Sequence, residues 1–286
     1  MINDLLMPPT ITLLSDFGSA DGFPAAIKAG ILKRLPDATF IDITHDIAPQ
    51  NVAAASFVLG QVAPRFPART VHLAVVDPGV GSDRVPLILI SPGGHKYVAP
   101  DNGLLTHVVA HSGPLKNVPH EHGFLEPYRA EVPDRWAAYE IDPGRAASEL
   151  SNTFHGRDLF GPVAALLAHG AAPQGLGDRV GEITCLNVPG PSSGDDSLSG
   201  RIQYIDHFGN AATNIREADL TDIEIIVACR KFVADGPVDS YAAASGPGAI
   251  IASHGFLELF ETNGSAAARY SLAVGDRVTV TSRVEA

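Results

Sequence analysis

Between residues 10 and 76 the chain alternates three β-rich runs with two helical patterns, and this alternation limits the fold more than any other feature. Thr10–Ser15 reads as a strand that stops at Asp16. At Asp21 the period becomes helical, with Pro24 in the first turn and Ala26, Ile27, Gly30, Ile31 and Leu35 along one face. Thr39–Thr44 repeats the strand signal, Asn51 is placed to cap a helix reaching about Val62, and residues 70–76 form the third run. Strand and helix in alternation predict a mainly parallel sheet with helices on its faces. Residues 85–91 and 95–99 flank Pro92-Gly93-Gly94, a hairpin signal that makes the sheet mixed, and residues 103–111 suit a helix.

The pattern weakens over residues 112–145, which are rich in Pro, charge and His; only 137–141 suits a strand there. Residues 158–169 read as an apolar helix. Pro and Gly then break the chain near 173–177 and 189–196, after which short strands are expected at 200–205, 223–228 and 277–282. The α/β fold therefore divides into an N-terminal domain over 1–175, a linker over 176–197 and a smaller C-terminal antiparallel β barrel or sandwich over 198–286. With 286 residues, 45% of them apolar, the chain can fill both cores.

Twenty basic residues against 32 acidic ones give a net charge of −12. That excludes a general binder of nucleic acid or of anionic membranes, which needs clustered Lys and Arg, and favours a small cationic or zwitterionic partner. Cys185 and Cys229 are too few for a disulfide framework and have no metal-ligand spacing, so buried thiols in a reducing compartment, the cytoplasm, are expected. The first residues lack a basic leader pattern, and no apolar run reaches membrane-spanning length.

The third run ends in Val75-Val76-Asp77-Pro78-Gly79-Val80-Gly81-Ser82-Asp83-Arg84. Ligands of open α/β sheets bind beyond the carboxyl ends of strands, and two glycines let this loop bring the Asp77 carboxylate and the Arg84 guanidinium onto one pocket. The same residues also suit an ordinary turn with a backbone-capping Asp. Asp16 can accept both hydrogen bonds of a vicinal diol such as a ribose, or cap a turn, and Asp21 suits a helix cap. Thr153-Phe154-His155-Gly156-Arg157-Asp158 puts an imidazole where a loop enters a helix, with Gly156 leaving room for a small nucleophile or serving helix-start geometry. Asp206-His207-Phe208-Gly209-Asn210 suits a tight turn between strands. His45-Asp46 and Asp101-Asn102 match no helical metal motif with His155 and Asp158, so supporting roles and no metal are expected.

Six stretches occur in a fixed order: Thr12 to Gly18, Asp42 to Ile47, Val75 to Arg84, Ala99 to Leu105, Thr153 to Asp158 and Asp206 to Asn214. Together they resemble the S-adenosylmethionine hydroxide adenosyltransferases, hydrolases related to the fluorinating and chlorinating enzymes that attack the same substrate. The resemblance covers about Ile11 to Val284. It implies hydrolysis of S-adenosylmethionine to adenosine and L-methionine by water attacking ribose C5′, with no metal or redox cofactor, in a homotrimer whose active sites are shared between subunits. Matched position implies Asp77, Arg84 and His155 as the catalytic set that holds and activates the water, His155 being the candidate proton acceptor. It places Asp16 on the ribose, Asp21 near the amino acid end with Asp206 on its ammonium, and Ser253 at the methionine. Phe208 is implied to stack on the adenine with Asn210 at its edge, and Thr153, Phe154, Gly156, Glu258 and Asn263 to be further substrate contacts.

Two departures stand out. The 206–210 motif is a residue shorter than in the halogenating relatives, which have an extra Pro before the Phe, and His254 stands where an aromatic or Arg is expected. A halogenase of the same fold is the nearest rival, but a halide set against the Asp77 carboxylate is repelled where water can hydrogen-bond to it. A protein that only binds S-adenosylmethionine or adenosine would keep Asp16, Phe208 and Asn210 and have no use for Asp77, Arg84 and His155.

Overall fold

A computed structural model of the chain describes residues 8–111, 113, 122–146, 150–194, 196–220 and 224–282. They fall into two units, one running to His122 and resuming over Glu126–Leu186, the other made of Gly123–Leu125 and the chain from Asn187 onward.

In the first unit the described residues form a seven-stranded sheet. Its strands are β1 (Thr10–Ser15), β2 (Thr39–Thr44), β3 (Val71–Val75), β4 (Pro86–Ile90), β5 (Lys96–Pro100), β7 (Ala137–Ile141) and β8 (Gly177–Val180), ordered β2-β1-β3-β5-β4-β7-β8. A separate ladder pairs β6 (Pro127–Glu131) with β9 (Glu182–Leu186). The strands β2, β1, β3 and β5 run parallel, while β4, β7 and β8 join antiparallel, so the sheet is mixed and parallel in one half only.

Successive strand residues point to opposite faces. Ile11, Leu13 and Leu73 meet Ile27 and Ile31 of α1 (Phe23–Leu32) and Val163 and Leu167 of α5 (Gly161–Ala168). On the other face Leu14 and Ala74 meet Ala55 and Leu59 of α2 (Val52–Val62) and Val108 of α3 (Thr106–Ala110). A short α4 spans Pro143–Ala146. Burying each large aliphatic side chain stabilises the fold by about 1.5–3 kcal/mol. Asn51 caps α2 by accepting Ala54 N–H at 3.0 Å, as its position predicts. Helix α1 begins later than Asp21: Gly22, at φ 71, precedes it, and Pro24 lies in its first turn.

The stretch expected as a linker, 176–197, contributes β8 and β9 to the first unit. Gly177 lies flush on β7, where an added Cβ would stand 1.9 Å from the Glu140 carbonyl oxygen, and Ile183 and Cys185 are fully buried. Short strands of mixed polar residues between glycines look like loop in sequence, and tertiary packing decides otherwise. Residues 114–121, within the weakly patterned stretch, lie outside the described residues.

In the second unit the described residues form an eight-stranded antiparallel sheet, with β14 (Phe232–Gly236), β13 (Ile225–Cys229), β17 (Arg277–Ser282), β11 (Ser197–Ile205), β12 (Ala211–Arg216), β16 (Phe256–Glu261) and β15 (Pro247–Ile251) in that order and β10 (Ser192–Ser193) beside β11. Val238 N–H donates to Ala249 O at 2.8 Å, drawing the two ends of the order together into a nearly closed barrel. Ile202, Ile215, Val227, Phe232, Leu257 and Val278 fill it, and α6 (Ala266–Tyr270) packs against β16 with Ala266 buried in the same core.

Candidate active site

The chain leaves β1 toward β2 on one side and returns to β3 on the other, so the carboxyl ends of β1 and β3 meet at a topological switch point, the usual ligand site of such sheets. Ser15 pairs in register with Val75, which sets Asp16 alongside the step into Asp77. Asp16 Oδ2 accepts Gln50 N–H at 2.7 Å, and Oδ1 has no donor among the described residues. Gln50 reaches it with φ 64, a left-handed conformation that costs a side-chain-bearing residue energy and often marks functional loops.

After β3 the loop folds back on itself, Ser82 N–H donating to Gly79 O at 3.0 Å and Gly81 taking φ 79. Arg84 Nε then donates to Asp77 Oδ1 and Oδ2 at 3.0 and 2.8 Å, and Nη2 stands 2.6 Å from Oδ2. The two side chains are 9% and 5% exposed, so the fork pairing is largely desolvated. Asn102 Nδ2 donates to Val76 O at 2.8 Å, fastening the backbone just before Asp77. That fits the supporting role expected of the Asp101-Asn102 pair.

His155 enters from 71 residues away: Arg84 Nη2 lies 2.7 Å from its Nδ1. A guanidinium only donates, so Nδ1 accepts, and a neutral ring then carries its proton on Nε2. Burial first and the Arg84 charge second hold His155 below the usual histidine range, outweighing Asp77, Asp158 and the Ser151 backbone, which act the other way. Arg84 Cζ stands 5.1 Å over the Phe160 ring, a further restraint on the guanidinium. Beside His155, Phe154 packs edge-on against Phe17 and Phe23 with centroids 5.7 and 5.2 Å away. An added Cβ on Gly156 would lie 3.1 Å from Ile27 Cδ1 and 3.3 Å from Phe154, so this glycine lets the aromatic cluster close. Phe23 and Gln50 carry no motif of their own in the sequence, whereas Ser15 and Phe17 fall within the Thr12 to Gly18 stretch without a role of their own. Gln50 could have been signalled only by its place beside Asn51, and Phe23 only by its place at the helix start.

In the second unit the turn between β11 and β12 presents Phe208, 72% exposed. Asp206 Oδ1 accepts N–H of Phe208 and Asn210 at 2.9 and 2.8 Å, and Asn210 Nδ2 donates to Oδ2 at 3.3 Å. Gly209, at φ 82, is the only residue type that fits there, since an added Cβ would meet Ser265 Oγ at 2.0 Å. The turn thus holds an aromatic face outward at small entropic cost. Asp206 is the turn's own cap, with Oδ2 the less committed oxygen.

Residues 11–177 match the SAM hydroxide adenosyltransferase N-terminal domain, and residues 200–279 match the SAM hydroxide adenosyltransferase C-terminal domain. The chain belongs to this family. A (R)-S-adenosyl-L-methionine hydrolase from Thermus thermophilus is 35% identical over 93% of this chain and 96% of its own. A fluorinase from Nocardia brasiliensis is more distant, 29% identical over 95% of this chain and 96% of its own. The crystal structure of an uncharacterized conserved protein from Thermotoga maritima superposes with a TM-score of 0.80 at 31% identity, covering 95% of this chain and 99% of that one.

The remaining positions marked by the hydroxide adenosyltransferase resemblance are spread over both units. Asp21 and Thr153 are exposed. Ser253 lies exposed in the turn between β15 and β16. Glu258 is 4% exposed and fully engaged: Tyr241 O–H donates to Oε1 at 2.7 Å and His254 Nε2 lies 3.0 Å from Oε2. It orients His254 in the same turn as Ser253. Asn263, at φ 56, lines a 430 Å³ cavity with Gly264, Ser265 and Arg269, and Ser265 is the residue that touches Gly209 under Phe208. Among the described residues no three His, Cys, Asp or Glu side chains are grouped as a metal site, and no helix is long and apolar enough to cross a membrane.

Proposed function

We propose that this protein hydrolyses S-adenosyl-L-methionine to adenosine and L-methionine. A water attacks ribose C5′ in line with the sulfonium, so that the O–C5′ bond forms as the C5′–S bond breaks, the electron pair stays on sulfur, and one proton leaves the attacking oxygen. The observation that carries this reading is Arg84 gripped between Asp77 and His155 at 2.6 and 2.7 Å. The sulfonium is already a good leaving group, so placing the nucleophile supplies much of the rate. Dispersal of charge during attack on a cation is favoured in a dry pocket.

Neutral His155 presents Nε2–H and so donates to the water, which moves the proton-accepting role expected of His155 onto Asp77. The attacking oxygen is an oxonium once bonded to carbon and gives its proton to any nearby carboxylate, so a strong base is not needed. A halide fits this set poorly. Asp77 balances Arg84 and leaves no spare positive charge, and a unit negative charge about 4 Å from a carboxylate is opposed by about 4 kcal/mol at an effective dielectric near 20.

The same reading puts the ribose on Asp16, the adenine on Phe208 and Asn210, and the methionine end near Ser253 and His254. It includes a homotrimer with sites shared between subunits, without metal or redox cofactor, acting in the cytoplasm. The two unpaired thiols support the compartment: both are buried, and burial pushes Cys185 up to about 12 and Cys229 to about 11. The test is to incubate the pure protein with S-adenosyl-L-methionine, with a chelator and with or without chloride, and to identify the nucleoside. Adenosine under every condition supports hydrolysis without metal; 5′-chloro-5′-deoxyadenosine, or no turnover, contradicts it. For the shared site, Asp77→Ala and Phe208→Ala proteins mixed after dissociation should regain part of the activity; none returning after verified exchange overturns the assembly.

A further inference from the structure

His45 follows β2 directly, is 9% exposed, and belongs to no step of the proposed chemistry. Its Nδ1 lies 2.7 Å from Ser15 Oγ, and its backbone carbonyl accepts Gly18 N–H at 2.8 Å. Residues 15 and 18 bracket Asp16, so a single residue fastens both flanks of the loop that carries this carboxylate. On its far side Nε2 lies 3.2 Å from Asp42 Oδ1, and Lys28 Nζ donates to Asp42 Oδ2 at 2.6 Å. Burial pushes the Asp42 carboxyl up, but Lys28 and His45 together pull it lower, so it stays an anion facing Nε2. His45 Nδ1 and the Ser15 hydroxyl share one hydrogen bond, and the Ser15 oxygen also accepts Phe17 N–H at 3.4 Å.

The order Ser, His, Asp is that of a hydrolytic triad. Ser15 is only 2% exposed and its hydroxyl is used within the loop, so it is no nucleophile. What the array does control is the direction of Asp16. One oxygen of Asp16 is held by Gln50 N–H, and the loop on either side is held by His45, which leaves Oδ1 as the oxygen without a donor among the described residues.

From this we infer that His45 is a positioning residue for the substrate ribose: through Ser15 and Gly18 it aims Asp16 Oδ1 at the vicinal diol. The inference deepens the proposed hydrolysis and rests on its placement of the ribose at Asp16.

The test compares binding of adenosine and of 2′-deoxyadenosine by calorimetry for the unmodified protein, His45→Leu, His45→Asn and Ser15→Ala, alongside steady-state kinetics with S-adenosyl-L-methionine. Every substitution keeps the residue 45 carbonyl, so only the side-chain link is removed. The unmodified protein should prefer the 2′-hydroxyl compound. His45→Leu should narrow that preference about fivefold and raise KM by about the same factor with kcat within about twofold, because one aligning hydrogen bond is lost from ground and transition states alike. His45→Asn, whose amide oxygen can take the Ser15 hydrogen bond, should recover most of the preference. Ser15→Ala should behave as His45→Leu and carries the test if the leucine protein does not fold. Unchanged preference in folded His45→Leu or Ser15→Ala overturns the inference, as does equal binding of both nucleosides by the unmodified protein. Absence of turnover with a diol preference that still depends on His45 overturns the hydrolysis instead.

Discussion

Arg84 and His155 are joined by a 2.7 Å hydrogen bond from Nη2 to Nδ1, across 71 residues of sequence. The same guanidinium holds Asp77, so three groups from two loops form one hydrogen-bonded unit. Its two nitrogens engaged here, Nε and Nη2, lie in the one plane of the fork, and no other cationic side chain can reach both partners in that geometry.

Arg84→Lys therefore breaks the arrangement although it keeps the charge. A lysine ammonium is a point donor that can satisfy Asp77 or His155 but cannot align both. The expected result is a fall in kcat of about a hundredfold, the size of effect produced by misplacing a reacting group by about 1 Å, with KM for S-adenosyl-L-methionine little changed. Rates within a few-fold of the unmodified protein contradict the role given to the fork.

The pH dependence follows from the direction of the His155 shift. Burial and Arg84 lower its pKa, so the neutral ring that accepts from Arg84 persists below the ordinary histidine range, and activity is lost only as pH falls through the lowered value. A kcat/KM profile should show its acid limb below about 6.5. A limb at or above that pH contradicts a neutral His155 in the working enzyme.

Phe208 can be tested without disturbing the fold. It is 72% exposed, and the turn beneath it is held by Asp206 and Ser265. Phe208→Ala should leave stability within about 0.5 kcal/mol and should weaken adenosine binding by about 1–3 kcal/mol, the value of stacking a base on an aromatic ring. Undiminished affinity in calorimetry removes the ring from the binding site.

Much of this was readable in the residues because their local signals agree with the tertiary structure. Thr10–Ser15 and Thr39–Thr44 form the strands their patterns predict, and Asn51 caps its helix through its side chain. The alternation that fixes a switch point also places Asp16 and Asp77 next to each other. What stayed hidden is carried by backbone or by packing. Gln50 serves Asp16 through its N–H at φ 64, which leaves no side-chain signature. Gly177–Val180 becomes a strand because Gly177 can lie against Glu140, a contact visible only in three dimensions. Glu258, expected among the substrate contacts, has both oxygens taken by Tyr241 and His254, which no spacing rule predicts.

His72 supplies a stability test away from the site. It is fully buried on β3, Nδ1 lying 2.8 Å from Thr12 Oγ1 and Nε2 3.1 Å from His95 Nδ1, and burial first and His95 second push its pKa down to about 3. The unfolded chain takes up this proton near 6.5, so stability is complete above that pH and declines as pH falls toward about 3, by a total on the order of 5 kcal/mol. Urea denaturation between pH 7 and 4 should show this slope, and His72→Asn should flatten it; equal slopes for both proteins contradict the assignment.

The central claim is that water, placed by Asp77, Arg84 and His155, attacks C5′ directly. It is tested most directly by running the reaction in water enriched in oxygen-18 and analysing the adenosine by mass spectrometry. One heavy atom in the 5′-hydroxyl, and none in the recovered L-methionine, is the predicted result. Adenosine without the label contradicts direct attack by water at C5′.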